Sequence, residues 1–178
     1  VGSEVQIIAK VESQSGVNNL LEILEVADAI LLDRGDLARE VPLEGLPFYQ
    51  KQIIQQANAK QVPVYVATNL LESMVTSFRP SRAEVNDVIN TLLDGADGLV
   101  LAAETAIGKH PVQCARMIKA LIRQFEYRTE SPIHLSHVPL SSGLISPHGG
   151  KLVNRILADY DTKELEDLTR YEVDELQM

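Results

Sequence analysis

The chain has 178 residues, of which 45% are hydrophobic, 23% charged and 4% aromatic, a composition typical of a soluble globular protein. Its formal net charge is −9 and it has no lysine-rich or arginine-rich run, so nucleic acids and anionic membranes are poor candidate partners. The single cysteine, Cys114, excludes a disulfide within the chain and favours a cytoplasmic protein. No apolar run approaches the ~20 residues that span a bilayer, no signal-peptide pattern opens the sequence, and the missing initiating Met points to a partial chain.

Two short stretches, Ile7–Glu12 and Ala29–Asp36, carry charged residues at the end of an apolar run. Side chains alternate between the faces of a strand, so Lys10 and Glu12 are predicted to point the same way. In parallel sheets covered by helices, functional groups gather at the carboxyl ends of the strands. The pattern therefore predicts a site where these two strands end.

Four strand–helix units follow one another along the chain. Strands are predicted at Ile7–Glu12, Ala29–Leu32, Val64–Ala67 and Gly98–Ala102. The helices that follow them have apolar faces within Leu20–Ala27, Leu43–Lys60, Val85–Leu92 and Pro111–Phe125. Leu21, Val112 and Ala115 are predicted to lie on those buried faces, and Ser81 and Glu84 have the spacing of a capping box. A polar turn is predicted at Arg34–Asp36 and a loop at Ala103–Gly108.

This alternation predicts an α/β fold with a parallel sheet. A (β/α)₈ TIM barrel needs eight units and typically ~250 residues, whereas this chain offers four. It is therefore either an open four-stranded sheet or, as we favour, half of a (β/α)₈ barrel. Half a barrel leaves two free strand edges, which predicts a homo-oligomer or another association through them.

The composition changes near residue 130, where prolines and glycines become frequent. Residues 1–130 are predicted to form the half barrel. Residues 131–178 are predicted to form a linker and an extended C-terminal tail, because their sparse leucines cannot bury a core.

The ends of the predicted strands resemble those of pyruvate kinase over about residues 5–125, the second half of that family's catalytic barrel. Ile-Ile-Ala-Lys-Val-Glu at 7–12 resembles the strand with the family's essential lysine and a metal-binding glutamate. Arg-Gly-Asp at 34–36 resembles its next strand end. Ala-Thr-Asn-Leu-Leu-Glu-Ser-Met at 67–74 resembles the stretch whose threonine contacts substrate. The sequences at 79–84 and 92–98 are also similar to family signatures.

The resemblance implies phosphoryl transfer between phosphoenolpyruvate and ADP, giving pyruvate and ATP. It assigns catalytic roles to Lys10 and Thr68, and it makes Glu12 and Asp36 ligands of Mg²⁺ or Mn²⁺. Substrate binding, which in the family involves the backbone of the Arg-Gly-Asp turn, is implied for Arg34, Gly35, Asp36 and Thr68. Any K⁺ would bind through groups of the other half of the barrel.

The chemistry of these residues agrees with the implied roles. Mg²⁺ prefers oxygen ligands and keeps positions for water and substrate, so two carboxylates suffice as anchors. A lysine beside them can neutralise the charge of a phosphoryl group during transfer. Thr68 would lie near the methylene carbon that receives a proton.

Five positions depart from the family pattern, and one of them is Asn69, which stands where the family commonly has a glutamine. Asp33 replaces a small residue and adds a carboxylate beside the implied metal site. Ala102, Ala103 and Ile107 stand in the family's Ser-Gly-Glu-Thr-Ala-Lys-Gly motif, which loses a serine hydroxyl and a lysine charge. The first half of the barrel is also missing, so we expect residues 1–178 alone to give no turnover.

The tail has a separate resemblance. Ser-Gly-Leu-Ile-Ser-Pro-His-Gly-Gly-Lys-Leu-Val-Asn-Arg at 142–155 resembles the N-terminal start of ATP sulfurylase, over about residues 140–178. That family's nucleotide-binding His-x-Gly-His motif does not occur in the tail. We therefore expect no sulfurylase activity from this chain.

Other interpretations of the same residues stay open. The segment could be a non-catalytic scaffold or regulatory module fused to a sulfurylase domain, or a metal-dependent enolate lyase or aldolase. Lys10 and Glu12 could be a structural ion pair. Glu104 is expected to brace the last loop and Cys114 to be a core residue.

Overall fold

The computed structural model describes residues 5–130. The predicted linker and the sulfurylase-like tail lie outside the described residues. The described elements are β1 (Ile8–Val11), α1 (Gln14–Asn18), α2 (Leu20–Val26), β2 (Ala29–Asp33), α3 (Arg34–Leu37), α4 (Leu46–Ala59), β3 (Val64–Ala67), α5 (Arg82–Leu93), β4 (Gly98–Val100), α6 (Ala103–Ala106) and α7 (Pro111–Glu130). Short 3₁₀ turns occupy Leu43–Gly45 and Glu72–Val75.

The four strands form one parallel sheet in the order β1-β2-β3-β4. The predicted α/β fold is therefore confirmed, and the four parallel units are consistent with half of a (β/α)₈ barrel. Lys10 pairs with Leu31, and Asp33 pairs with Ala67. This register places the carboxyl ends of β1, β2 and β3 side by side, which brings their charged residues together.

Helices cover one face of the sheet. Inward residues of the first three strands pack with α2 and α4 in a cluster that includes Val11, Ile30, Leu32, Val64 and Val66 with Leu24, Ile53, Ile54 and Ala57. A second cluster joins α5 and α7 and includes Leu70, Leu71, Met74, Val88, Cys114 and Ile118. The expected core position of Cys114 is confirmed, and its burial raises the pKa of the thiol.

The opposite face of β1 is open in the described part of the chain, where the side chains of Ile8 and Lys10 are exposed. Alternation along the strand explains why Val11 is fully buried while Lys10 is not. The face that carries the charged residues is thus the one that the helices leave uncovered.

Ser81 and Glu84 form the predicted capping box at the start of α5. Other local predictions need correction. Arg34–Asp36 belongs to the single helical turn α3 because Asp33 caps it, and part of the expected loop at 103–108 is the short helix α6. The helix expected from Leu43 instead begins at Leu46 after a 3₁₀ turn.

Three predicted core residues are exposed: Leu21, Val112 and Ala115. Successive helical residues are about 100° apart, so burying Leu20 and Leu24 turns Leu21 toward solvent. The buried stripes of α2 and α7 are thus narrower than the apolar sequence predicts. No helix among residues 5–130 is both long and apolar enough to cross a membrane.

Candidate metal and substrate site

Lys10 is the centre of a charged cluster at the ends of β1 and β2. Its Nζ lies 2.5 Å from Glu12 Oε2, 2.8 Å from Asp33 Oδ2 and 3.4 Å from Asp36 Oδ2. The contacts with Asp33 and Glu12 are the strongest reasons why the pKa of Lys10 lies above its ordinary value. The predicted common face of Lys10 and Glu12 is confirmed, and the ammonium group stays charged while it holds three carboxylates together.

Asp33, the last residue of β2, has the least exposed carboxylate of the cluster. Its side chain is 9% exposed, compared with 40% for Glu12 and 41% for Asp36. Burial alone would raise the pKa of Asp33, but hydrogen bonds from Lys10, from Thr68 and from the backbone of Asp36 outweigh it and lower the pKa. Asp33 is therefore ionised in the folded protein at neutral pH.

The turn that follows β2 presents backbone amides to Asp33. Asp33 Oδ1 accepts hydrogen bonds from Gly35 N at 3.1 Å and from Asp36 N at 3.3 Å, which caps α3. Gly35 N also donates to Thr68 Oγ1 at 2.7 Å. A Cβ on residue 35 would lie 3.2 Å from Thr68 Oγ1, so glycine permits this close approach.

Thr68 follows β3 directly and has a left-handed backbone with φ of 69°. Its hydroxyl lies 3.0 Å from Asp33 Oδ1 and 2.6 Å from the carbonyl oxygen of Ala67, either of which can accept its proton. A non-glycine residue in this conformation needs support from its surroundings. Asn69 is also left-handed, with φ of 55°, so the chain turns sharply where β3 enters the site.

Arg34 supplies that support. Its guanidinium donates to the carbonyl oxygens of Thr68 and Asn69, and its Nη1 contacts both carboxylate oxygens of Asp87, at 2.8 and 3.0 Å. It also donates to Gln50 Oε1 at 3.2 Å, and the Arg34 side chain is only 10% exposed. The side chain therefore positions the Thr68 turn, and a substrate role for Arg34 stays a prediction that rests on its backbone.

Sequence reasoning missed Asp87 and Gln50 because neither belongs to a strand end. Asp87 lies in the middle of α5, 53 residues from Arg34, among positions that read as an ordinary amphipathic helix. The available signal was an acidic residue beside Val88 on a helix that packs against the sheet. That signal is too common to identify a partner of Arg34.

The model of the pyruvate kinase barrel domain matches residues 1–115 of this chain. The chain belongs to the pyruvate kinase family. A pyruvate kinase of Mycobacterium intracellulare is 44% identical over 147 residues, which are 82% of this chain and 31% of that protein. A pyruvate kinase of Thermococcus litoralis is 46% identical over 72% of this chain and 27% of its own length. One from Candida albicans is 50% identical over 66% of this chain and 23% of its own length.

This chain thus spans less than a third of the length of these pyruvate kinases. The match confirms the resemblance seen at the strand ends. The tail's resemblance to ATP sulfurylase stays a prediction.

The donor set of this pyruvate kinase segment fits a divalent metal ion. Glu12, Asp33 and Asp36 each offer one carboxylate oxygen, and these oxygens lie within 4.8 Å of one another. Oxygen donors are what Mg²⁺ prefers, and the partial exposure of Glu12 and Asp36 gives a cation access from solvent. Lys10 Nζ now lies among these carboxylates, so a metal ion there would compete with its ammonium group.

In the segment at 102–108, where this chain departs from the family motif, the acidic residue is buried and contacts the backbone instead of a lysine. Glu104 is 1% exposed and accepts hydrogen bonds from Leu71 N at 3.0 Å and from Ala102 N at 2.8 Å. The expectation that Glu104 braces this loop is confirmed. Ala103 and Ile107 are exposed and Ala102 is half-buried, so two of the three altered residues lie at the surface around a buried brace.

Proposed function

We propose that this segment contributes part of an active site for Mg²⁺- or Mn²⁺-dependent phosphoryl transfer between phosphoenolpyruvate and ADP, giving pyruvate and ATP. One observation supports it most directly. A lysine, a threonine hydroxyl and three carboxylates meet at adjacent strand ends, with Lys10 Nζ within 3.4 Å of each carboxylate. Family membership makes phosphoryl transfer the leading chemistry for such a set.

Glu12 and Asp36 are the proposed metal ligands because their carboxylates are the more exposed of the three. When bound, a divalent cation supplies positive charge that stabilises negative charge developing on substrate oxygens. Lys10 would neutralise the phosphoryl group in transit from the same face of the sheet. The pyruvate carboxylate would accept hydrogen bonds from the turn at Arg34–Asp36.

Thr68 is proposed to act on the proton that the methylene carbon must receive. Its hydroxyl is oriented by hydrogen bonds with Gly35 N and Asp33 Oδ1. Because a threonine hydroxyl is a weak acid, its role is to hold and relay a proton rather than to supply one from its own ionisation.

Metal binding is the first test, and Mn²⁺ is the probe because its electron paramagnetic resonance signal separates free from bound ion. We expect Glu12→Gln combined with Asp36→Asn to weaken Mn²⁺ binding about 100-fold. Glu25→Gln is the matched control, since Glu25 is a surface carboxylate whose contact with Lys60 is 4.0 Å long. Equal Mn²⁺ affinity in the double variant and the control would reject the proposed metal site.

Lys10→Met gives a sharper second test because its two expected effects have opposite signs. Removing the ammonium group frees the carboxylates, so Mn²⁺ should bind more tightly. In the full-length gene product, the same change should abolish ATP formation from phosphoenolpyruvate and ADP with Mg²⁺ and K⁺. We expect residues 1–178 alone to bind Mn²⁺ without turnover, since K⁺ and ADP would bind through groups outside this half barrel.

Failure of Mn²⁺ to bind would favour the scaffold or regulatory interpretation. ADP-independent cleavage of a keto acid that depends on Mn²⁺ would favour the enolate lyase or aldolase. Both outcomes are read from the same protein preparations.

A further inference from the structure

Asp33 accepts hydrogen bonds from two backbone amides of the turn that the proposed function offers to a substrate carboxylate. Its Oδ1 accepts from the amides of Gly35 and Asp36, with the Thr68 hydroxyl 3.0 Å away. Its Oδ2 lies 2.8 Å from Lys10 Nζ. These donors come from β1, from the turn after β2 and from the turn after β3, so they form a site that is closed around one carboxylate.

Two carboxylates cannot share this donor set at little cost. The Gly35 N–H already divides its one proton between Asp33 Oδ1 and Thr68 Oγ1, and the Asp36 N–H has one proton to donate. Two like charges at the same place also repel each other. The side chain of Asp33 is 9% exposed, so it fills the space between the turns rather than resting at the rim. A carboxylate ligand must either displace Asp33 or bind without these hydrogen bonds.

We propose that Asp33 is an internal carboxylate that occupies the anion-binding position of this site and so weakens the binding of carboxylate ligands such as pyruvate. The pyruvate class of ligand rests on the proposed function, whereas the occupancy by Asp33 does not. Asp33 is thereby a specificity-determining residue that favours ligands able to displace it. The carboxylate oxygens of the proposed metal ligands, Glu12 and Asp36, remain available to a metal ion in this arrangement.

The test measures pyruvate binding to the 178-residue chain in EDTA through the backbone amide NMR signals of Gly35 and Asp36. Asp33→Ala empties the position while leaving the amides, Lys10 and the Thr68 hydroxyl in place. We expect pyruvate to bind this variant about 10- to 100-fold more tightly than the unchanged chain, with shifts at both amide signals. Glu25→Ala, which also removes one carboxylate, should bind pyruvate like the unchanged chain.

Asp33→Asn is the second variant, because its amide oxygen can still cap α3 and preserve the fold. It removes the repulsion but keeps an acceptor in the position, so a smaller gain than for Asp33→Ala is expected. Equal pyruvate affinity in the unchanged chain and both variants would overturn the proposal. Absence of shifts in every protein at 100 mM pyruvate, on the order of the weakest binding of interest, would overturn it as well.

The two proposals fail in different experiments. Loss of the metal site is detected by Mn²⁺ without pyruvate, and the Asp33 effect is detected by pyruvate without metal. A chain that binds Mn²⁺ and shows no Asp33 effect would retain the proposed function and reject the internal carboxylate.

Discussion

The carboxylates at the ends of β1 and β2 differ from the carboxylate that follows β4 in what surrounds them. Glu12 and Asp36 are about two-fifths exposed and contact a lysine, whereas Glu104 is 1% exposed and contacts two backbone amides. Asp33 lies between these extremes, because it is buried and contacts both a lysine and amides.

The difference separates groups that can bind a ligand from groups that hold the chain. An exposed carboxylate paired with lysine can exchange that partner for a cation at modest cost. Removing a buried carboxyl group that accepts from two amides leaves both amides without an acceptor, which costs stability. Substitutions beside β1 and β2 should therefore change ligand binding, whereas substitution of Glu104 beside β4 should change stability.

Glu104→Ala should give the largest loss of stability. Two amides, Leu71 N and Ala102 N, would lose their acceptor in a buried setting. We expect about 3 kcal/mol of lost unfolding free energy, measured by urea denaturation. In the proteins that remain folded, Mn²⁺ affinity should be unchanged, because the proposed metal ligands follow β1 and β2 whereas Glu104 follows β4, at the opposite edge of the sheet.

Glu104→Gln is the matched control for this comparison. Its carbonyl oxygen can serve one amide, while its NH₂ group would face the other amide donor to donor. The expected loss lies between zero and that of the alanine variant. A loss of Mn²⁺ affinity in the folded Gln variant would contradict the distinction between ligand-binding and structural carboxylates.

Arg34→Met should be next in size. The guanidinium connects Asp87 on α5 with the carbonyl oxygens of the left-handed Thr68 turn. We expect a loss of about 2 kcal/mol, smaller than for a fully buried pair because Asp87 is 39% exposed. The Thr68 turn would also loosen, which should be visible as a changed amide signal of Gly35.

Asp87→Asn separates the loss of the ion pair with Arg34 from the loosening of the Thr68 turn. It weakens the pair but keeps the contacts of Arg34 with the Thr68 turn, so the Gly35 signal should stay in place. If both variants moved the Gly35 signal equally, the positioning role of Arg34 would be wrong.

Local patterns were sufficient to predict much of the fold and part of the site. Strand alternation placed Lys10 and Glu12 on one face, and the rule that functional groups gather at parallel strand ends brought Asp36 beside them. The capping box of Ser81 and Glu84 is a contact over three residues, which a sequence shows directly. Each of these predictions depends on neighbours in sequence or on sheet geometry.

Long-range partners could not be predicted in this way. Sequence comparison identified Asp33 as an added carboxylate, but its contact with Thr68 spans 35 residues and depends on a left-handed turn. The Arg34 contact with Asp87 spans 53 residues and depends on how α5 packs. The exposed Leu21 shows the same limit, because only tertiary packing decides which apolar residues of a helix are covered.

Acid should weaken the contacts that Glu84 makes with Ser73 and Ser81 at the start of α5. Burial would raise the pKa of Glu84, but hydrogen bonds from Ser73 and Ser81 outweigh it and lower the pKa below its ordinary value of 4.5. A lowered folded pKa means that the stabilisation is complete above 4.5 and is lost as the pH falls through the folded pKa. Glu84→Gln should cost about 1 kcal/mol at pH 7 and flatten this acid dependence, measured by urea denaturation from pH 7 to 3.

An unchanged acid slope in Glu84→Gln would assign the pH dependence to other carboxylates. The Asp33 cluster is the main alternative, because the pKa of Asp33 is also lowered. Repeating the series with Asp33→Asn separates these two sources.

Glu25→Ala should have the smallest effect and so marks the baseline of the comparison. Glu25 and Lys60 are 66% and 47% exposed and their charged atoms are 4.0 Å apart, so water screens most of their attraction. We expect a change within about 0.5 kcal/mol in urea denaturation and no change in Mn²⁺ affinity. A larger change in stability would mean that surface carboxylates also hold this fold, and exposure would then no longer separate the ligand-binding groups from the structural ones.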